Sequence, residues 1–144
     1  MATSGSGVRL ARLLIEGFEA LVQEVVAELD RRGHPGVSAH LEFALSAITE
    51  GADNASDLGR ALGVSRQAAA KSVATLEQLG YVDRVADPAD ARLKRLRVTP
   101  RGVEMMAIGA ATFDELRTRW VRSLEPGRAE LVEDALARLT PRAG

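Results

Sequence analysis

Apolar residues return at three- and four-residue steps through the first quarter of the chain. Leu14, Phe18, Leu21, Val25 and Leu29 make one stripe, and Ala11, Ile15, Val22 and Val26 an adjoining one. That period predicts a helix over residues 8–32. Arg31 and Arg32 suit its C-terminal dipole, and Gly33-His34-Pro35-Gly36 ends it. At about 1.5 Å per residue such a helix is ~37 Å long. Two apolar faces on one long helix predict that one packs within the chain and the other meets a partner chain.

A second helix is expected from Ser38 to about Glu50, closed by Gly51. Asn54 then caps a short third helix to Leu62, with Asp57 in the first turn where the dipole favours a carboxylate. Gly63 stands where a left-handed residue is needed, Val64 turns inward, and Ser65 caps a helix from Arg66 to about Leu79. The buried face of that helix is expected at Ala69, Val73, Leu76 and Leu79 or Gly80. Arg66, Gln67, Ala70, Lys71 and Ala74 lie on its opposite face.

After Gly80 the period changes from helical to alternating. Residues 81–85 and 94–98 read as two strands, and Asp87-Pro88-Ala89-Asp90-Ala91 between them as a turn, giving a basic β-hairpin. Thr99-Pro100 marks a helix start, cap followed by proline. That helix is expected from Arg101 to about Leu124 with Val103, Met106, Ala110, Phe113, Leu116 and Trp120 on one face. Glu125-Pro126-Gly127 breaks it, and a last helix carries Leu131, Val132, Ala135, Leu136 and Leu139. The fold class is therefore mainly α with a small β-hairpin wing: a winged helix-turn-helix flanked by long helices. Residues 1–144 form one domain, with a winged lobe at 37–99 and dimerisation helices at 8–32 and 101–140.

Composition narrows the function. The chain has 144 residues, 46% hydrophobic and 27% charged, which suits one globular domain. Aromatics are only 3%, so Leu, Val, Ala and Ile must build the core. With no cysteine there is no disulfide, no Cys-ligated metal and no thiol switch. No apolar run approaches a membrane span, and residues 1–7 read as a frayed leader rather than a signal peptide. A cytoplasmic protein is expected.

The net charge of −1 hides an asymmetry. Between Arg60 and Arg101 lie nine basic and four acidic residues, a net of +5. A helix-turn-helix sets its second helix into the DNA major groove, and small or polar residues near that helix's N-terminus let it approach base edges. Ser65, Arg66, Gln67, Ala70 and Lys71 answer this requirement. Arg66 and Gln67 suit guanine and adenine edges, and Lys71 a phosphate. Arg92 at the hairpin tip suits the narrow minor groove, with Asp90 placed to hold its guanidinium. Lys94 and Arg95 extend the basic hairpin as further DNA contacts. Arg95 and Arg97 equally fit a solvated strand edge that resists aggregation.

Asp57 to Ser65, then Val73 to Arg84, resembles the helix-turn-helix of MarR (multiple antibiotic resistance regulator) transcription regulators. Asp87-Pro88-Ala89-Asp90-Ala91-Arg92-Leu93-Lys94 through Val98-Thr99-Pro100-Arg101-Gly102 is similar to that family's wing and its exit into the fifth helix. The resemblance implies a homodimer with the first and last two helices interleaved. It further implies a pseudo-palindromic duplex operator, repression, and relief by a small molecule. It places DNA contacts on Ser65, Arg66, Gln67, Ala70 and Lys71, and a minor-groove contact on Arg92.

Arg12, His40, Phe43 and Trp120 are candidates for an effector pocket by residue type, although Phe43 and Trp120 read more readily as core. His34, His40 and Glu42 read as local residues rather than a metal site. No catalytic set, cofactor motif or phosphate loop is present, so no enzyme and no cofactor are expected. A winged-helix module gripping an acidic protein is the alternative. Large apolar residues on the recognition helix would favour it, and Arg66, Gln67 and Lys71 do not.

Overall fold

The computed structural model describes residues 5–140. The leader expected at 1–7 lies mostly outside them, and a helix has begun by Ser6. In chain order the elements are α1 (Ser6–Arg31), α2 (Ala39–Thr49), α3 (Ala55–Leu62), α4 (Arg66–Gln78), β1 (Val82–Ala86), β2 (Lys94–Val98), α5 (Pro100–Arg122) and α6 (Arg128–Ala137). The architecture is mainly helical, with one antiparallel hairpin inserted before α5.

Local chemistry explains the helix starts. Ser38, Asn54, Ser65 and Thr99 each accept a bond from the backbone N–H three residues on, at 2.8–3.3 Å. These are N-caps, each satisfying a donor that the first turn leaves unpaired. Gly63 adopts φ +68° between α3 and α4, the conformation the sharp helix-turn-helix corner requires.

The core forms where five helices and the hairpin meet. Leu41, Ala44, Leu45 and Ile48 of α2 pack with Leu58 of α3, Ala69, Val73 and Leu76 of α4, and Leu96 of β2. Val25 and Leu29 of α1 and Met105, Ile108 and Leu116 of α5 close it from the other side. β1 pairs with β2 in the register Val82↔Val98 to Ala86↔Lys94. The outer edge of β2 is tied down as well, because the Leu96 N–H donates to the Asp53 carbonyl at 2.9 Å.

Two expectations require correction. The inner face of α5 is Gly102, Met105, Ile108, Gly109 and Leu116, whereas Val103 is exposed. Its rotation is set at its first turn: Gly102 lies so close to the Tyr81 carbonyl that an added Cβ would sit 2.5 Å from that oxygen. The two roles of α1 also divide along its length instead of between its faces. Val25 and Leu29 are buried, while Val8, Leu13, Leu14, Ile15, Phe18 and Leu21 are exposed within this chain. α5 of the same chain meets the C-terminal half of α1, where Arg119 donates to Glu24 at 2.9 Å.

Candidate nucleic-acid interface

The turn at Gly63 and the Ser65 cap launch α4 as the second helix of a helix-turn-helix. Ala69, Ser72, Val73 and Leu76 are its buried residues. The buried set therefore includes Ser72, which the apolar pattern did not select; its hydroxyl donates to the Ala68 carbonyl at 3.2 Å. Arg66, Gln67, Ala70, Lys71 and Ala74 are all exposed, as is Ser65. Ser65 Oγ accepts the Ala68 N–H and keeps its own proton for an outside acceptor.

The wing is shaped by two carboxylates acting on their own backbone. Asp87 Oδ1 accepts the Ala89 N–H at 2.8 Å, and Asp90 Oδ1 accepts the Arg92 N–H at 3.0 Å. The Leu93 N–H donates to the Asp90 carbonyl, and the Asp87 N–H to the Leu93 carbonyl, which closes the loop. Arg92 Nε also donates to Asp90 Oδ1 at 3.2 Å while the Arg92 side chain stays 91% exposed. The arginine is thus aimed by its neighbour and left accessible.

The positive charge is unevenly available. Arg84 Nη2 meets Glu77 at 3.0 Å, fastening β1 to α4. Arg97 forms a forked pair with Asp83 across the hairpin at 3.0 and 2.7 Å. That pair holds Asp83 below the usual carboxylate range, chiefly through the Arg97 hydrogen bond. Arg95 donates to Asp87 at 2.8 Å and lies 3.6 Å from Asp53. Asp87 is lowered too, first by the Ala89 N–H and then by Arg95. Arg95 and Arg97 are thus both ion-paired on the wing while their side chains stay 50% and 60% exposed. Among the described residues of the lobe, Arg66, Lys71 and Lys94 have no ion-pair partner.

Arg101 counts toward the basic tract and is exposed, but its guanidinium is engaged by backbone carbonyls of its own chain. Its Nε donates to the Leu79 carbonyl at 3.2 Å and its Nη2 to the Gly33 carbonyl at 3.0 Å, with the guanidinium 5.2 Å above the Tyr81 ring. Cations at the C-terminal ends of two helices are favourably placed against the dipoles. Sequence reasoning also passed over His34, placed in a loop but 1% exposed and bonded through Nδ1 to the Tyr81 hydroxyl at 3.0 Å. A signal was present, since both rings follow a Leu-x-x-x-Gly segment (Leu29 to Gly33, Leu76 to Gly80).

Within this chain the four effector-pocket candidates lie on three elements, Arg12 on α1, His40 and Phe43 on α2 and Trp120 on α5. His40 Nε2 pairs with Ser72 Oγ at 2.8 Å, and Phe43 stacks on Phe18 with ring centroids 6.2 Å apart. Arg12 lines a shallow cleft made of α1 residues and Gly5, and Trp120 lies in the last turn of α5. Phe43 and Trp120 are exposed rather than core. Among the described residues no cluster of three His, Cys, Asp or Glu could hold a metal ion. No helix among them is long and apolar enough to cross a membrane.

A capped recognition helix beside an arginine-tipped hairpin, with long helices before and after, defines a winged helix-turn-helix protein. Residues 43–93, from within α2 to the wing, match the sequence model of the MarR family, a family of transcription regulators. The resemblance read from the motif is therefore met by an independent match over the lobe. The fold extends the likeness to nearly the whole chain. A mutant MarR from E. coli complexed with operator DNA is 18% identical, with a TM-score of 0.73 over 98% of this chain and 100% of that one. Streptococcus pneumoniae FabT in complex with DNA is 20% identical, with a TM-score of 0.71 over 91% and 92%. The transcriptional regulator BldR from Sulfolobus solfataricus is 22% identical, with a TM-score of 0.63 over 96% and 98%. No curated protein matches in sequence.

Proposed function

We propose that this protein is a homodimeric transcription regulator that binds a pseudo-palindromic duplex operator, acts as a repressor, and is released by a small-molecule effector. One observation carries the DNA reading: the exposed face of α4 bears Arg66 and Lys71 without acidic partners among the described residues, and its one acidic residue, Glu77, is held aside by Arg84. The wing supports it through the accessible Arg92. Arg66 and Gln67 read bases in the major groove, while Ser65, Ala70 and Lys71 fit against the backbone and groove wall. Arg92 enters the minor groove, and Lys94 meets a phosphate. Two of the similar structures are DNA complexes, which agrees with this placement.

Dimerisation is supported by the apolar surface of α1 and α6. Leu13, Ile15, Phe18, Leu131 and Leu136 are exposed on the single chain, and burying such side chains contributes roughly 25 cal/mol per Å². Two-fold pairing would set two α4 helices about 34 Å apart, one turn of DNA. No cofactor enters this reading. An effector site is expected only where two protomers meet, because one protomer does not assemble the candidates Arg12, His40, Phe43 and Trp120.

Selection of bound sequences from random duplex DNA by the purified protein tests the proposal. The expected outcome is an enriched motif of two inverted half-sites centred about ten base pairs apart. Failure to enrich any motif, with no retention even at low salt, would contradict it.

A further inference from the structure

The corner where the recognition helix becomes the wing is locked to the end of α1 by a buried ring pair. Both helices end in the same way. Gly33 (φ +88°) follows α1 and Gly80 (φ +81°) follows α4. The next N–H in each case donates five residues back, His34 to the Leu29 carbonyl at 2.8 Å and Tyr81 to the Leu76 carbonyl at 2.9 Å. These are paired Schellman caps, and each delivers a ring at the same position after its glycine.

The two rings meet. His34 is 1% exposed and Tyr81 0%, their centroids are 5.6 Å apart, and the Tyr81 hydroxyl lies 3.0 Å from His34 Nδ1. On the far side, His34 Nε2 lies 3.3 Å from the Glu104 carboxylate of α5. That carboxylate favours the proton on Nε2, so Nδ1 is left to accept from the Tyr81 hydroxyl. Arg101, one turn before Glu104, straps both glycine turns through the Leu79 and Gly33 carbonyls and covers the Tyr81 ring. The Thr99 hydroxyl adds a bond to the Gly80 carbonyl at 2.6 Å.

Resting on the DNA reading above, we infer that His34 and Tyr81 are positioning residues that fix the orientation of α4 against α1 and α5, and so set the half-site spacing the dimer accepts. The tie joins three junctions: the end of α1, the corner between α4 and β1, and the first turns of α5. The long helices carry the exposed apolar surface, and α4 carries the DNA-facing one. Any rotation between these two bodies must stretch the Tyr81–His34 bond or the Arg101 strap. Without that bond, apolar packing and the exposed Arg101 strap remain, and the buried part of the junction is held less directionally than by a buried hydrogen bond.

The test uses duplexes bearing the selected half-sites at native spacing and at one base pair longer and shorter. Tyr81→Phe removes only the hydroxyl, His34→Leu removes both polar contacts at similar volume, and His34→Asn retains an acceptor near the Nδ1 position. Wild-type protein should lose about tenfold in affinity on either spacing change, whereas Tyr81→Phe and His34→Leu should lose about threefold or less. His34→Asn should restore most of the discrimination, and all variants should remain dimeric by sedimentation. A lowered melting temperature with wild-type spacing discrimination in Tyr81→Phe would overturn the inference and reduce the pair to a stabilising contact. Wild-type protein that binds none of the duplexes would overturn the DNA reading itself, and this inference with it.

Discussion

Single side chains in the basic tract divide into those that face outward and those that hold the structure together. Arg92 is mostly in solvent and bonded only to its own loop, so Arg92→Ala should weaken DNA binding while leaving the melting temperature within about 1 °C. Arg66→Ala should cost about 1–3 kcal/mol at one base position of the operator; binding isotherms against single-base operator variants will show whether the loss is local or uniform. Arg101→Gln should behave in the opposite way. It removes two charge-assisted bonds to helix-end carbonyls and should destabilise the fold by about 1–3 kcal/mol in urea melts, with the salt dependence of DNA binding unchanged. A flatter salt slope in Arg101→Gln would place that arginine on the DNA after all. Sequence position does not separate these arginines, because Arg92 and Arg101 lie in one run of cations. The neighbouring Asp90 was a legible local signal for Arg92, whereas the carbonyl partners of Arg101 are 22 and 68 residues away.

At the scale of elements, what depends on near neighbours was readable and what depends on distant ones was not. The caps at Asn54, Ser65 and Thr99 and the turn at Gly63 are local chemistry, and they appear where the residue types predict them. The rotation of α5 is set by Gly102 against Tyr81, a tertiary contact that the hydrophobic period of α5 does not encode. Residue type likewise gives no relative position: within the single chain Arg12 lies on α1, His40 and Phe43 on α2, and Trp120 on α5. The α2–α5 contact holds a further unforeseen feature. Glu42 is half-buried against Gly109, its carboxylate has no hydrogen-bond or ion-pair partner among the described residues, and burial raises that carboxyl above the ordinary range. An acid raised in the folded state costs stability above its folded pKa, and the cost vanishes as pH falls below the unfolded value. Glu42→Gln should therefore raise the melting temperature at neutral pH, with the gain fading as the solution is acidified through the carboxylate range. A gain that persists at low pH would point to packing as its cause.

On the scale of the whole molecule, the proposed dimerisation and DNA-binding surfaces are joined through the His34–Tyr81 contact. Among the described residues, the apolar arm of α1 and the outer residues of α6 remain exposed, with Phe18 stacked on Phe43. Phe18→Asp combined with Leu14→Asp should convert the protein to monomer in sedimentation equilibrium, by removing apolar burial and placing charge in the interface. A double variant that remains dimeric would move the interface elsewhere. The recognition helix and wing form the other surface, and its accessible cations include Arg66, Lys71 and Arg92, the last aimed by Asp90. The proposed function requires that these cations meet phosphates and base edges of duplex DNA. The most direct measurement is the affinity for the selected duplex as a function of salt, for wild type and for the Arg66→Ala, Lys71→Ala, Arg92→Ala triple variant. Wild type should show a steep linear fall of log affinity against log salt, and the triple variant a slope flatter by about two or more units per dimer. Equal slopes for the two proteins, or binding indifferent to salt, would contradict the account.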